Sequence, residues 1–157
     1  MTVPVIETER LRLRRYQLED FEPFRALWMS DDSRYMGGPV KDTAEAWGIF
    51  CSDTAQWELL GFGYWAIEER SSGTLAGACG LGKPPSFPER ELGWQLFGPF
   101  RGKGYATEAA DAGRDYAFHT LGWDTLVSYV HLENTASQAV ATRLGAVPDP
   151  AGPYAEG

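Results

Sequence analysis

Cysteine is nearly absent from this chain: Cys51 and Cys79 are the only two in 157 residues. They fit neither a metal-ligand spacing nor a disulfide framework, and they read as reduced thiols. Cations are also scarce. Lys and Arg number 14 against 22 Asp and Glu, a formal net charge of -8. That balance argues against a general nucleic-acid binder and is compatible with a cationic or amine-bearing partner. No apolar run approaches the roughly 18 residues of a membrane span, and no charged start leads into an apolar stretch. A soluble, cytoplasmic protein is expected, with no metal. No persuasive Cys-His or Ser-His pair stands out, and His119 and His131 are expected to be structural, with His131 held in reserve.

Aromatic residues are plentiful: six Trp, seven Tyr and eight Phe. A chain of this length can bury roughly 70% of its unfolded surface, enough for one domain spanning residues 1–157. "RLRLRR" alternates as a half-buried strand from Arg10 to Arg15, its arginines on a solvated face. Phe21, Phe24, Leu27 and Trp28 then fall at helical spacing. Asp42 and Glu45 form a capping-box-like start to a second helix, striped by Trp47, Phe50, Cys51, Thr54 and Trp57 and ended by Gly61. "YWAIEE" and "TLAGACGL" predict a hairpin across "RSSG". "ERELGWQLF" predicts a strand with Leu92, Trp94 and Leu96 on one face and Glu91, Gly93 and Gln95 on the other. A helix from about Lys103 to Leu121, a strand at "TLVSYV", and a helix capped near Asn134 and ended by Gly145 complete the order. Antiparallel strands followed by a β-loop-α-β unit predict a mixed sheet with helices on both faces, in the α+β or α/β range.

The stretch "QLFGPFRGKGYATEAADAGRDYAF" carries the chemistry. A strand feeds a glycine-rich loop into a helix N-terminus, where free N–H groups and the helix dipole favour an anion. Arg101 and Lys103 add positive charge, and Thr107 offers a hydroxyl one turn in. The P-loop pattern fails: Gly98, Gly102 and Lys103 are one residue short, and Gly104 stands where Ser or Thr would bind magnesium. A dinucleotide fingerprint fails as well, because "GKGYAT" ends in Thr and no acidic residue ends a following strand.

The third pattern, [RQ]-x-x-G-x-[GA], is met by Arg101, Gly104 and Ala106. With it, the chain resembles the GNAT superfamily of N-acetyltransferases. "ETERLRLRRYQLEDFEPF", "ERELGWQLFGPFRGKGYATEA" and "HLENTASQAVATRLGAV", in that order along nearly the whole chain, look like its ribosomal-protein N-terminal acetyltransferase branch. The resemblance implies a mostly antiparallel sheet whose strands splay apart to admit acetyl-CoA. The pantetheine arm would pair with the backbone of Trp94, Gln95 and Leu96 like an added strand. Backbone N–H groups of Gly102, Lys103, Gly104, Tyr105 and Ala106 would wrap the pyrophosphate.

The resemblance further implies that Asn134 bonds the pantetheine, while its plain alternative is a helix cap. Ser137 would face the coenzyme sulfur and protonate the leaving thiolate, since Ala141 stands where many members place a Tyr. Its alternative is an uninvolved polar residue in a first turn. Acyl transfer to an amine needs a base and an N–H donor for the developing oxyanion. Glu91 is the first candidate base, Glu133 the second and a water chain the third; a strand N–H near Trp94 or Gln95 would be the donor. Trp28, Tyr35, Met36 and Trp47 could line the acceptor side. The function expected is transfer of an acetyl group from acetyl-CoA to an amine, on a small molecule or a protein N-terminus. A non-catalytic acyl-CoA-binding module is the alternative. The family's final hairpin strand is expected to be missing after "RLGAV", and the unpaired edge would invite a homodimer.

Overall fold

The computed structural model describes residues 2–149. Five strands form one sheet: β1 (Ile6–Glu7), β2 (Leu11–Arg14), β3 (Tyr64–Glu69), β4 (Leu75–Gly82) and β5 (Glu91–Leu96). They lie in sequence order, each pair antiparallel. This is the mostly antiparallel sheet that the resemblance implies. Its single parallel element among the described residues is an isolated bridge, Glu91 to Val127.

Alternation in β2 and β3 divides the core between the two faces of the sheet. Leu11, Leu13, Trp65, Ile67, Cys79, Leu81 and Leu92 share one cluster with Ala109 and Ala110 of α3 (Tyr105–Asp115). Ala66 and Ala78 turn the other way, onto Tyr16, Phe24 and Phe50. The last two come from α1 (Phe21–Trp28) and α2 (Thr43–Leu60). Helices thus cover both faces. The last turn of α2 reaches round the sheet, where Trp57 meets Trp65 edge-on at 5.0 Å.

Local signals set most boundaries. The Asp42 side chain accepts from Glu45 N at 2.9 Å and opens α2; Gly61, at φ 81, closes it. The stripe expected on α2 holds only in part: Phe50 and Trp57 are buried, Trp47 is 43% exposed and Cys51 is exposed. The arginines of β2 divide: Arg12 is exposed, as expected, and Arg14 is half-buried. Arg12 pairs with Glu7 and Glu68, and Arg14 with the buried Asp20 at 2.8 Å.

Two expected elements are revised. The helix predicted from Lys103 begins at Tyr105, because Gly102 and Gly104 sit at φ 79 and 81, outside helical space. It passes after Asp115 into a π-helical turn, Tyr116–Thr120. "TLVSYV" forms no strand. Its period-2 pattern is right, but its pairing to β5 stops after Val127, for the reason given below. α4 (Thr135–Arg143) is capped by Asn134 as expected. No strand follows it through Asp149, and the rest of the tail lies outside the described residues.

Candidate active site

A gap opens in the sheet at the outer edge of β5. Leu92 N donates to Val127 O at 2.8 Å, and the Ser128 hydroxyl donates to Leu92 O at 2.7 Å. The next backbone donor, Tyr129 N, is taken by the Glu91 carboxylate at 2.8 Å. A side chain has replaced a strand carbonyl, so the ladder ends and the two segments part. Because Leu92 bonds outward, the two-residue period turns Trp94 and Leu96 outward too, while Gln95 bonds inward to β4. The expected edge, Trp94 to Leu96, is thus exposed to the gap. Of the two candidate oxyanion donors, only Trp94 N–H points there; Gln95 contributes its side chain to the cleft wall.

The glycine loop closes one end of this gap. Gly104 precedes α3 with no side-chain cap, so the first-turn N–H groups of α3 lack the usual side-chain acceptor. A Cβ built on Gly98 or Gly102 would meet nothing within 4 Å, which leaves a cradle open to a bulky anion. The Thr107 hydroxyl is buried without any hydrogen-bond partner. An orphaned buried hydroxyl in the first turn of an uncapped helix fits a phosphate oxygen. The two loop cations are placed differently. Arg101 donates to Leu96 O at 3.1 Å and lies 3.5 Å from Asp32, beside the gap. Lys103 turns toward Glu69 at 3.8 Å and toward the rings of Phe100 and Tyr105. The Tyr105 side chain is buried and donates to Glu69, leaving its backbone N–H for a ligand.

Across the gap stands the start of α4. Asn134 Oδ1 accepts from Ser137 N at 3.1 Å, so the cap is real and the Asn134 amide NH2 stays free to donate. Trp94 Nε1 donates to Ser137 Oγ at 3.2 Å. With a lone pair so occupied, the serine keeps its own proton for another acceptor.

Behind the gap, a cavity of about 510 Å³ is walled by Tyr35, Asp53, Tyr64, Glu91, Trp94 and Ser137, among others. Trp28 and Met36 line it as expected, but Trp47 does not; it packs on Phe21 and Phe50 instead. His131 lines the mouth, its ring 4.9 Å from Tyr35. Glu133 is exposed and outside the lining, and His119 pairs with Asp115 at the surface, 3.4 Å away. Burial pushes the Glu91 carboxyl up to about 7, against the opposing hydrogen bond from Tyr129 N. Its second oxygen, Oε1, lies 3.6 Å from where a Cβ on Gly93 would stand.

Two residues of this cavity, Tyr64 and Asp53, were not singled out in the sequence. Tyr64 of β3 lies flat across β4 and β5. A Cβ on Gly80 would strike its ring, and one on Gly93 would strike its hydroxyl. Asp53 of α2 accepts from the Tyr16 hydroxyl at 3.2 Å, and burial pushes it up to about 7. The usable signal was the pair of strand-interior glycines, which mark a close approach by something else. Among the described residues, no cluster of three or more His, Cys, Asp or Glu could hold a metal, and no helix is long and apolar enough to cross a membrane.

Comparison with known proteins bears on the family and the fold. The family model of the acetyltransferase (GNAT) domain matches residues 10–147. A crystal structure of an acetyltransferase from Agrobacterium tumefaciens is 44% identical, with a TM-score of 0.93 over 98% of this chain and 89% of its own. The uncharacterized N-acetyltransferase p20 of Bacillus licheniformis is 30% identical over 136 residues, 83% of this chain and 75% of that protein. A ribosomal L7/L12 alpha-N-protein acetyltransferase in complex with coenzyme A is 18% identical, with a TM-score of 0.74 over 90% of this chain and 82% of its own, a likeness of fold.

Proposed function

The chain belongs to the GNAT acetyltransferase family, and on that premise we propose that it moves an acetyl group from acetyl-CoA to an amine by direct attack within a ternary complex. The observation that carries this reading is the juxtaposition of Glu91 and Ser137 on one cleft, whose edge is the outward-facing backbone of Trp94 and Leu96. Acetyl-CoA supplies an acyl group already activated as a thioester, so no covalent enzyme intermediate is needed.

The residues divide the work. The outward backbone of Trp94 and Leu96 holds the pantetheine arm as an added strand, with the Asn134 amide donating to it. First-turn N–H groups from Gly104 to Thr107, with the Thr107 hydroxyl, hold the pyrophosphate, and Arg101 adds positive charge beside it. Glu91 Oε1 takes a proton from the acceptor ammonium and frees its lone pair. Trp94 N–H stabilises the oxygen on which negative charge develops. Ser137 Oγ gives its proton to the departing sulfur. Tyr64 is a poor base, since burial lifts it well above its ordinary value; it remains a neutral donor.

Calorimetric titration with acetyl-CoA, followed by release of free thiol on an amine panel, tests the reading. Micromolar binding and turnover are expected. Ser137→Ala should lower kcat by roughly 100-fold with acetyl-CoA binding retained. Failure to bind acetyl-CoA, or full turnover by Ser137→Ala, would remove the proposed site or its proton donor.

A further inference from the structure

Asp53 sits on the core-facing side of α2, between the buried Phe50 and Trp57. A carboxylate there is costly unless something pairs with it. The chain shows how it treats a buried acid kept for stability: Asp20 receives Arg14 through both its oxygens, at 2.8 and 3.1 Å, and Gln17 N at 2.8 Å. Asp53 receives only the Tyr16 hydroxyl, on Oδ2. Among the described residues no cation reaches it. The cavity it opens onto contains a second carboxylate, Glu91, whose charge also has no cationic partner. Among the described residues its lining contains no Lys or Arg, and its one basic side chain is His131 at the mouth. Next to both acids, the Tyr64 hydroxyl reaches the floor of the cavity and makes no hydrogen bond among the described residues.

A single ammonium can neutralise one of these acids. Glu91 is committed to the reacting amine on the reading given above, on which this inference rests. The other acid remains. From the Asp53 carboxylate, which has no cationic partner among the described residues, and the unpartnered Tyr64 hydroxyl in one cavity without Lys or Arg, we propose that Asp53 is a specificity-determining residue that seats a second positive charge on the acceptor. The acceptor class is then an aliphatic diamine, or an amine with another cationic group near the reacting nitrogen. Asp53 Oδ1 takes the distal ammonium, and the Tyr64 oxygen accepts one of its protons. An acceptor carrying a carboxylate meets two like charges in a cavity without a counter-ion and is rejected.

The test uses three matched four-carbon probes: 1,4-diaminobutane, n-butylamine and 4-aminobutanoic acid. Each is assayed for kcat/KM with acetyl-CoA, on wild type and Asp53→Asn, and each is titrated onto the protein by calorimetry. Wild type should prefer the diamine to the monoamine by roughly 30-fold and the monoamine to the amino acid. In Asp53→Asn, which keeps an acceptor for Tyr16, the ratio of diamine to monoamine should fall by about that factor. A ratio that survives the substitution, or a preference for the amino acid, overturns the proposal. Acetyl-CoA binding is read separately. Its absence would sink the acetyl-transfer reading, while the diamine titration would still judge the cation seat: binding lost in Asp53→Asn supports it, and no binding to wild type overturns it.

Discussion

The two oxygens of Glu91 have different partners: one holds Tyr129 N, and the other faces the cleft. Because burial raises this carboxyl to about 7, it is mostly protonated at pH 6 and charged at pH 8. A base must be charged to act. We therefore expect kcat/KM to rise with pH through about 7 and then level. Glu91→Gln should flatten that limb and lower kcat/KM by roughly 100-fold or more, as initial rates across pH 5.5 to 9 would show. At this scale Glu91 was legible, since it leads the strand that borders the gap. Asp53 and Tyr64 were not. Tyr64 read as one aromatic in an ordinary strand, and its meaning depends on Gly80 and Gly93, which are distant in sequence and adjacent only once the strands pair. Trp47 failed in the opposite way: helical spacing put it on a stripe, but tertiary packing rotated it out of the acceptor wall.

Between elements, the glycine loop is braced from behind by the chain's beginning. Arg10 donates to Lys103 O at 2.7 Å and to Glu108 at 2.7 Å, and its guanidinium lies 4.7 Å from the Tyr105 ring centre. Glu108 also accepts from Thr8 and from Arg10 N. Burial pulls the Glu108 carboxyl upward, but these hydrogen bonds and the Arg10 charge outweigh it and hold it below its ordinary value. Without Arg10, the loop loses the group that fixes the Lys103 carbonyl and the approach to α3. Arg10→Ala should weaken acetyl-CoA binding by about tenfold with little change in kcat at saturation, a split that calorimetry and steady-state kinetics together would reveal. The loop itself was readable because glycine spacing is a local signal. The brace was not, because it joins residues nearly a hundred positions apart. The same limit explains "TLVSYV": alternation reports which face a residue takes, but whether a strand forms depends on a neighbour's free edge, and here Glu91 and Ser128 had consumed it.

Over the whole molecule, the architecture was mostly legible, since most strands and helices announce themselves by period or cap; β1, two residues long, is too short to do either. The antiparallel sense was legible as well, while the parallel partner expected beside β5 shrank to a single bridge at Val127. The acid cavity leaves its mark on global stability. Asp53 and Glu91 titrate near 7 when folded and near 4 when unfolded, so the folded state binds more protons in between. Stability from these two groups is greatest at low pH and falls as pH rises from about 4.5 to about 7, by on the order of 3 kcal/mol each. Glu108 is lowered and works in the other direction, losing its contribution only as pH falls below its unfolded value. Urea midpoints should therefore be higher at pH 5 than at pH 8. Asp53→Asn should narrow that difference. A midpoint that climbs steadily from pH 5 to pH 8 would mean the two acids are not desolvated.

The indole of Trp94 and the hydroxyl of Ser137 form a strut across the gap in the sheet. A closed sheet edge opens like a zipper, each rung held by its neighbours. Here one side-chain hydrogen bond, worth roughly 1 kcal/mol, spans the distance. The link from β5 to α4 thus rests on two rotamers, while the bonds of Glu91 and Leu92 to residues 127–129 hold the near end of the gap. On the acetyl-transfer reading, a bulky thioester would enter and a free thiol would leave by turning the Trp94 ring aside, with the backbone that orients the chemistry left in place.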